Sequence, residues 1–225
     1  MLITKIIPRE KDKAVDIFID NKFSFRLSED DFVKEKLKIA LIISEEKFLT
    51  LKRAGKFTYL LNRMLNFLSF RPRSEKEVRD KLKEVLYKDK ETDADTKEKL
   101  SEDIIFKLKN LKLLDDNSFA SWLLDQRIRG RKPFGIIRLR QELYKKGIKK
   151  ELIEKLLKGA SSNERERAIS AASKKLKIYS KLPPREFKSK MGSHLLRQGF
   201  PLSLVLSVVD TLIKRQYNEG RLDDN

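Results

Sequence analysis

Pro133-Phe-Gly-Ile-Ile-Arg-Leu-Arg-Gln-Glu-Leu-Tyr-Lys-Lys-Gly-Ile148 can be laid over Pro184-Arg-Glu-Phe-Lys-Ser-Lys-Met-Gly-Ser-His-Leu-Leu-Arg-Gln-Gly-Phe200. Leu143 then falls on Leu195 and Gly147 on Gly199, both at an offset of 52 residues. Each segment opens with a proline, closes on a glycine and carries an apolar residue directly after it. Proline suits the first turn of a helix, where its missing N–H has no intrahelical partner, and glycine suits the left-handed residue that ends one. Two helices of one design at a fixed offset predict a repeat. A third copy starts at Arg71-Pro-Arg-Ser74, with Ser74 as N-cap and Glu77 three residues on, and continues through Val78 to Leu82. Leu82 matches Leu143 at the larger offset of 61, and the extra length is assigned to residues 87–96, a Lys-, Asp-, Glu- and Thr-rich stretch expected to loop into solvent.

Working outward, each unit is expected to hold three helices: 56–69, 74–88 and 98–113; 116–130, 134–146 and 149–158; 163–180, 184–198 and 201–217. Before them the text is different. Val15, Ile17 and Ile19 alternate with Asp16, Phe18 and Asp20, and Phe23-Ser-Phe-Arg26 continues the period-two pattern, which predicts a β-hairpin with Asp20-Asn21 in its turn. Residues 2–7 are expected to add a third strand, and Ser28 to start a short helix. The expected fold is therefore mainly α: three tandem three-helix repeats in an elongated array, preceded by a small N-terminal β-hairpin module. The modules are 1–55, 56–115, 116–160 and 161–217, with 218–225 a frayed tail.

Composition agrees with a helical chain that meets polyanions. Among 225 residues, 8 glycines and 6 prolines are too few for a loop-rich β-sandwich, and 38% are charged against a usual value of about 25%. The net charge is +18. No cysteine is present, which removes disulfides, thiolate metal sites and cysteine nucleophiles and points to a reducing compartment, taken as the cytoplasm. One histidine, His194, excludes a two-histidine metal site. The apolar runs are far shorter than the roughly 20 residues that span a bilayer, and the first residues lack the apolar core of a secretory signal, so no membrane partner is expected.

Between residues 127 and 150 lie ten basic residues against one acid, Glu142. Arg127, Arg129, Arg131, Lys132, Arg138, Lys145 and Lys146 are the candidate contacts in this stretch, and Arg71, Arg73, Lys76 and Arg79 are their counterparts in the first repeat. Such density attracts phosphate by releasing counterions and needs no base readout. A single surface lysine is ordinarily only solvating. Arg140 falls on the apolar arc with Leu139 and Leu143, so local pairing is expected for it. Asp115-Asp116 is assigned as a helix N-cap rather than a catalytic pair, Phe119 and Trp122 as core, and His194 as structural or surface. There is no phosphate-binding GxxxxGK[ST] loop, dinucleotide GxGxxG or GxSxG elbow, so neither a catalytic residue nor a cofactor is assigned.

The run Leu111-Lys-Leu-Leu-Asp-Asp-Asn-Ser-Phe-Ala120, followed by Arg127, Pro133-Phe-Gly-Ile-Ile-Arg-Leu-Arg-Gln-Glu-Leu143 and Lys146-Gly-Ile148, resembles the central signature of the RecX family of recombinase regulators. Arg73-Ser-Glu-Lys-Glu-Val78 with Lys81-Leu82 resembles its first repeat, and Ile3-Thr-Lys-Ile6 with Ile17-Phe-Ile-Asp-Asn-Lys-Phe-Ser-Phe25 the N-terminal extension of longer members. The chain departs from that pattern at Asn21, where a turn glycine is usual, at Lys132-Pro133 in place of Gly-Pro, and in the first repeat, which lacks a Lys-Gly helix end. The resemblance implies a monomeric, non-enzymatic regulator that binds the RecA recombinase and its filament on single-stranded DNA, with duplex DNA a further candidate. It would restrain strand exchange and ATP hydrolysis in recombinational repair and the SOS response. An architectural, sequence-nonspecific DNA-binding protein is the alternative, and a carboxylate nuclease a third.

Overall fold

The computed structural model describes residues 1–10, 13–90, 92–130 and 133–219. The chain divides into two compact units, Met1–Leu114 and Asp115–Asn225.

The first unit opens with a three-stranded antiparallel meander of β1 (Ile3–Arg9), β2 (Ala14–Ile19) and β3 (Lys22–Ser28). Asp20 and Asn21 make the β2–β3 turn with φ of +48° and +66°, the pair of left-handed residues a two-residue hairpin turn requires. Ile3, Val15, Ile17, Ile19, Phe25 and Leu27 form the buried face. Alternation puts Asp16 on the opposite face, yet it is only 3% exposed, because Arg9 and Arg26 from the flanking strands close over it. Arg9 Nε donates to its Oδ2 at 2.8 Å and Arg26 Nε to its Oδ1 at 2.6 Å.

Burial pushes the Asp16 carboxyl up, but the hydrogen bonds and charges of Arg26 and Arg9 outweigh this and hold it below its ordinary value. A depressed carboxyl contributes stability above its unfolded pKa and loses that contribution as pH falls through the folded one. Asp16→Asn is therefore expected to lower stability at pH 7 by about 1–3 kcal/mol. Its urea midpoint should approach that of the parent as the pH falls through the lowered folded-state pKa of Asp16. A gap constant from neutral to acid pH would rule the carboxylate out as the cause.

Ser28 caps α1 (Glu29–Lys34) by accepting from the Asp31 amide, and Ser44 caps α2 (Glu45–Ser69) by accepting from Lys47. The latter helix begins well before the expected residue 56 and runs unbroken through it. Its first half packs on β3 at Gly55, where a Cβ would collide with the Arg26 carbonyl and lie 3.2 Å from Phe25 Cβ. Leu51 belongs to the sheet core, whereas Leu60 and Met64 join α3 (Glu75–Tyr87) and α4 (Ala94–Asn110) in the first helical core. Ser74 and Glu77 complete a reciprocal capping box at α3. The α4 helix starts at Ala94 instead of 98, because Asp93 accepts from the Thr96 amide at 2.8 Å. The stretch expected to be free in solvent is shorter and tied down: Lys56 pairs with Asp89, and Lys97 Nζ donates to the Asp89 carbonyl at 2.6 Å.

Lys112 ends α4 at φ +56°, with its own amide bonded to Lys109 O at 2.9 Å and the Leu113 amide to Leu108 O at 3.0 Å. Glycine favours that conformation, while a Cβ there costs about 1–2 kcal/mol, partly offset by the greater freedom glycine gives the unfolded chain. Lys112→Gly is expected to raise the unfolding free energy by about 0.5–1 kcal/mol; a loss in thermal or urea unfolding would contradict this.

The second unit contains α5 (Asp116–Ile128), α6 (Ile136–Lys145), α7 (Lys150–Ser161), α8 (Glu164–Tyr179), α9 (Pro184–Arg197) and α10 (Leu202–Glu219). Asn218 and Glu219, assigned to the tail, belong to α10, and residues 220–225 lie outside the described ones. Phe119, Leu123, Leu139, Leu143, Ile148 and Ile153 anchor one core. Ala168, Phe187, Met191, Leu195, Phe200 and Val208 anchor the next. Equivalent positions carry equivalent burial: Val78, Leu139 and Met191 are all at most 1% exposed, as are Leu82, Leu143 and Leu195. Gly147 and Gly199 take φ of +80° and +86°, and the following amides, Ile148 and Phe200, return to Leu143 O and Leu195 O. This is the glycine stop read from the alignment.

Candidate nucleic-acid interface

The middle helix of each three-helix unit must satisfy its first-turn amides, and the three copies do so differently. In α3 the capping box serves, and in α9 Pro184 removes a donor. Gly135, before α6, has no side chain to cap with. Its amide donates to Gln198 O at 2.9 Å, the Ile136 amide to Glu164 Oε1 at 2.8 Å and the Ile137 amide to Gly199 O at 3.1 Å. The carbonyl end of α9 thus faces the amide end of α6, with the helix dipoles head to tail. Both glycines are required by the approach: a Cβ on Gly135 would strike the Gly199 carbonyl, and one on Gly199 would strike Arg138.

Around this junction the structure gathers two of the nominated arginines. Arg138 lies over the Phe134 ring at 3.9 Å and Arg127 lies 5.6 Å from the same ring. Arg138 also donates to Arg197 O at 3.2 Å. Arg127 forks onto Glu142 with bonds of 2.6, 2.9 and 3.0 Å. Those bonds raise its already high pKa, against the opposing effect of burial. Arg129 is 82% exposed on its side chain and pairs with Asp125 at 2.5 Å. Lys145 and Lys146 close α6, the first exposed and the second half-buried. Arg131 and Lys132 lie outside the described residues.

The candidates of the first unit are also committed locally. Arg71 forks onto Glu77 at 2.8 and 3.2 Å. Arg73 lies 4.0 Å over the Phe67 ring, and its pKa is lowered by burial and by the neighbouring Arg71 charge, with Glu77 opposing. Arg79 joins Glu102 to Glu75 across α3 and α4, and the Glu102 hydrogen bonds raise its pKa against burial. Lys76 is exposed. Arg140, expected to pair locally, forks onto Glu154 at 2.7 and 3.0 Å. Asp115 caps α5 through the Asn117 and Ser118 amides, Phe119 is 1% exposed, and Trp122 packs against the same core.

Arg79 and Arg127 therefore act first as inter-helix staples, and density along the sequence does not reveal this because Glu102 and Glu142 lie 23 and 15 positions away. Lys174 and Lys175 on α8 were not singled out by sequence. They line a cleft with Pro133, Ala171, His194 and Gln198. No long basic run marks them, and only folding brings α8, α9 and the start of α6 together. Among the described residues no helix is long and apolar enough to cross a membrane.

Three family models match in order: the RecX first three-helix domain at residues 61–94, the second at 115–157 and the third at 163–209. The chain is 34% identical to the regulatory protein RecX of Finegoldia magna over 203 residues, covering 89% of this chain and 94% of that protein. With the regulatory protein RecX of Bacillus velezensis the identity is 30% over 98% of this chain and 81% of the relative. A crystal structure of regulatory protein RecX superposes with a TM-score of 0.66 at 26% identity, covering 93% of this chain and 98% of that one. The crystal structure of RecX from Lactobacillus salivarius gives 0.55, also at 26% identity, over 69% and 96%.

Proposed function

The chain belongs to the RecX family of regulatory proteins, and from that premise we propose that it binds the RecA recombinase and its filament on single-stranded DNA and inhibits strand exchange and ATP hydrolysis. The supporting observation is the serial match of all three family domains along one chain. In this reading the protein is a non-enzymatic cytoplasmic monomer that modulates recombinational repair. Its working modules are residues 1–55, 56–115, 116–160 and 161–217. A net charge of +18 provides a sequence-independent attraction to the coated strand. Arg71, Arg73, Lys76, Arg79, Arg127, Arg129, Arg131, Lys132, Arg138, Lys145 and Lys146 are the proposed contacts.

The deciding experiment titrates the protein into RecA-driven, DNA-dependent ATP hydrolysis at fixed salt, with and without excess free single-stranded DNA. Inhibition should persist in excess DNA. If it disappears there, the protein merely masks the strand, and the architectural DNA-binding reading replaces this one.

A further inference from the structure

The cleft between α8 and α9 differs from the other positive surfaces in what surrounds its charges. Lys174, Lys175 and His194 line it with Gln198 over a floor of Ala171 and Pro133, and no acidic residue is among the lining side chains. Neither Lys174 nor Lys175 has an ion-pair partner among the described residues. The larger cleft between α3 and α4 has Glu98 and Glu102 beside Arg79, Lys83 and Lys97. The arginines nominated from sequence are likewise matched: Arg71 by Glu77, Arg79 by Glu75 and Glu102, and Arg127 by Glu142.

Size and donor type narrow the occupant. The cleft holds about 140 Å³, well under the roughly 300 Å³ at which pockets for drug-sized ligands begin, so it takes one small group rather than a nucleoside. Its donors are ammonium groups, an imidazole and a carboxamide. Both lysine and arginine meet carboxylates in this protein, as at Asp89 and Glu142. Two ammonium groups with no acid beside them therefore mark an anion seat, and a single phosphate is an anion that lysine meets as a mobile point charge. Arg138, outside the cleft lining, is held at the same junction by Arg197 O and Gln198 Oε1. The geometry points to a seat for a single phosphate group, filled by a backbone phosphodiester of single-stranded DNA and formed only where the second and third helical units dock. The choice of DNA rests on the filament reading above; the anion seat itself does not.

The sole histidine makes the test direct, because the ring C–H signals of His194 in a proton NMR spectrum are unambiguous. Inorganic phosphate, added to the full chain at constant pH and ionic strength, should move them saturably, and chloride should not. Lys174→Gln with Lys175→Gln should abolish the saturable shift while leaving the unfolding midpoint unchanged. The same double variant should lower the salt slope of binding to an oligothymidylate without terminal phosphate by about 0.7. That corresponds to a roughly 2.6-fold smaller decline in affinity between 50 and 200 mM salt. Identical responses to phosphate and chloride would overturn the seat. A saturable phosphate response with an unchanged DNA slope would overturn its assignment to the strand, and an equal response to free glutamate would assign the cleft to an acidic protein surface instead. Failure of the filament reading would appear separately, as absent ATPase inhibition with the His194 response intact.

Discussion

Replacing Gly199 with alanine is expected to lower the unfolding free energy of the second unit by about 3–5 kcal/mol, combining a left-handed Cβ penalty, overpacking and the loss of junction hydrogen bonds. Its φ is +86°, so any L side chain is strained even before it meets a neighbour. The neighbour is backbone: an added Cβ would lie 2.5 Å from the Arg138 amide nitrogen and 2.9 Å from its Cα. These atoms belong to the first turn of α6 and cannot rotate away. Relief requires α6 and the end of α9 to part, which releases the Ile137 bond to Gly199 O and the Gly135 bond to Gln198 O. Gly159 is the control, because it sits within α7 with nothing inside 4 Å of an added Cβ. There alanine should stabilise by about 0.5–1 kcal/mol through backbone entropy. Urea unfolding followed by the fluorescence of Trp122, the one tryptophan, reads both. Equal stability for the two variants would mean that the junction does not depend on the close glycine contact.

Neutralising Arg129, Lys145 and Lys146 together with glutamine is expected to weaken single-stranded DNA binding about a hundredfold at 0.1 M salt, if each serves one phosphate and each contact carries a slope of about 0.7. The slope itself should fall by about 2. These three are chosen over Arg127 and Arg138 for a structural reason. Arg127 holds Glu142 in a fork, and Arg138 braces the junction between Phe134 and Arg197 O, so their removal disturbs packing as well as charge. Arg127→Gln alone should cost about 1 kcal/mol of stability, a modest figure because the pair is partly exposed and water screens it. Filter binding across a salt series, with unfolding midpoints measured in parallel, separates the two effects. Undiminished affinity in the triple variant would remove the end of α6 from the interface.

Much of the fold is legible in local sequence because helix starts and stops are local chemistry. Ser28, Ser74 and Asp115 each accept a hydrogen bond from an amide two or three residues ahead, and Gly147 and Gly199 are left-handed because glycine alone adopts that conformation freely. The start of α4 was misplaced for a related reason. Asp93 is a good cap, but the charged stretch around it also reads as a solvated loop, and only the ties from Lys56 and Lys97 to Asp89 show that it is held.

The candidate site was legible only as a list of charges. Sequence identifies Arg127 and Glu142 but not that they meet, nor that Arg138 reaches across 59 positions to Arg197 O. It gives no reason to prefer Lys174 and Lys175 over the other lysines of a chain with 52 basic residues.

By itself, then, the sequence determined the helical triplication, the hairpin before it and the strongly positive net charge, because periodicity, capping and composition are read along the chain. The tertiary structure alone decided which cations are already committed to carboxylates and which line an acid-free cleft. It also decided that Gly135 and Gly199 touch, since side-chain forks and backbone contacts depend on distances in space that spacing in sequence does not encode.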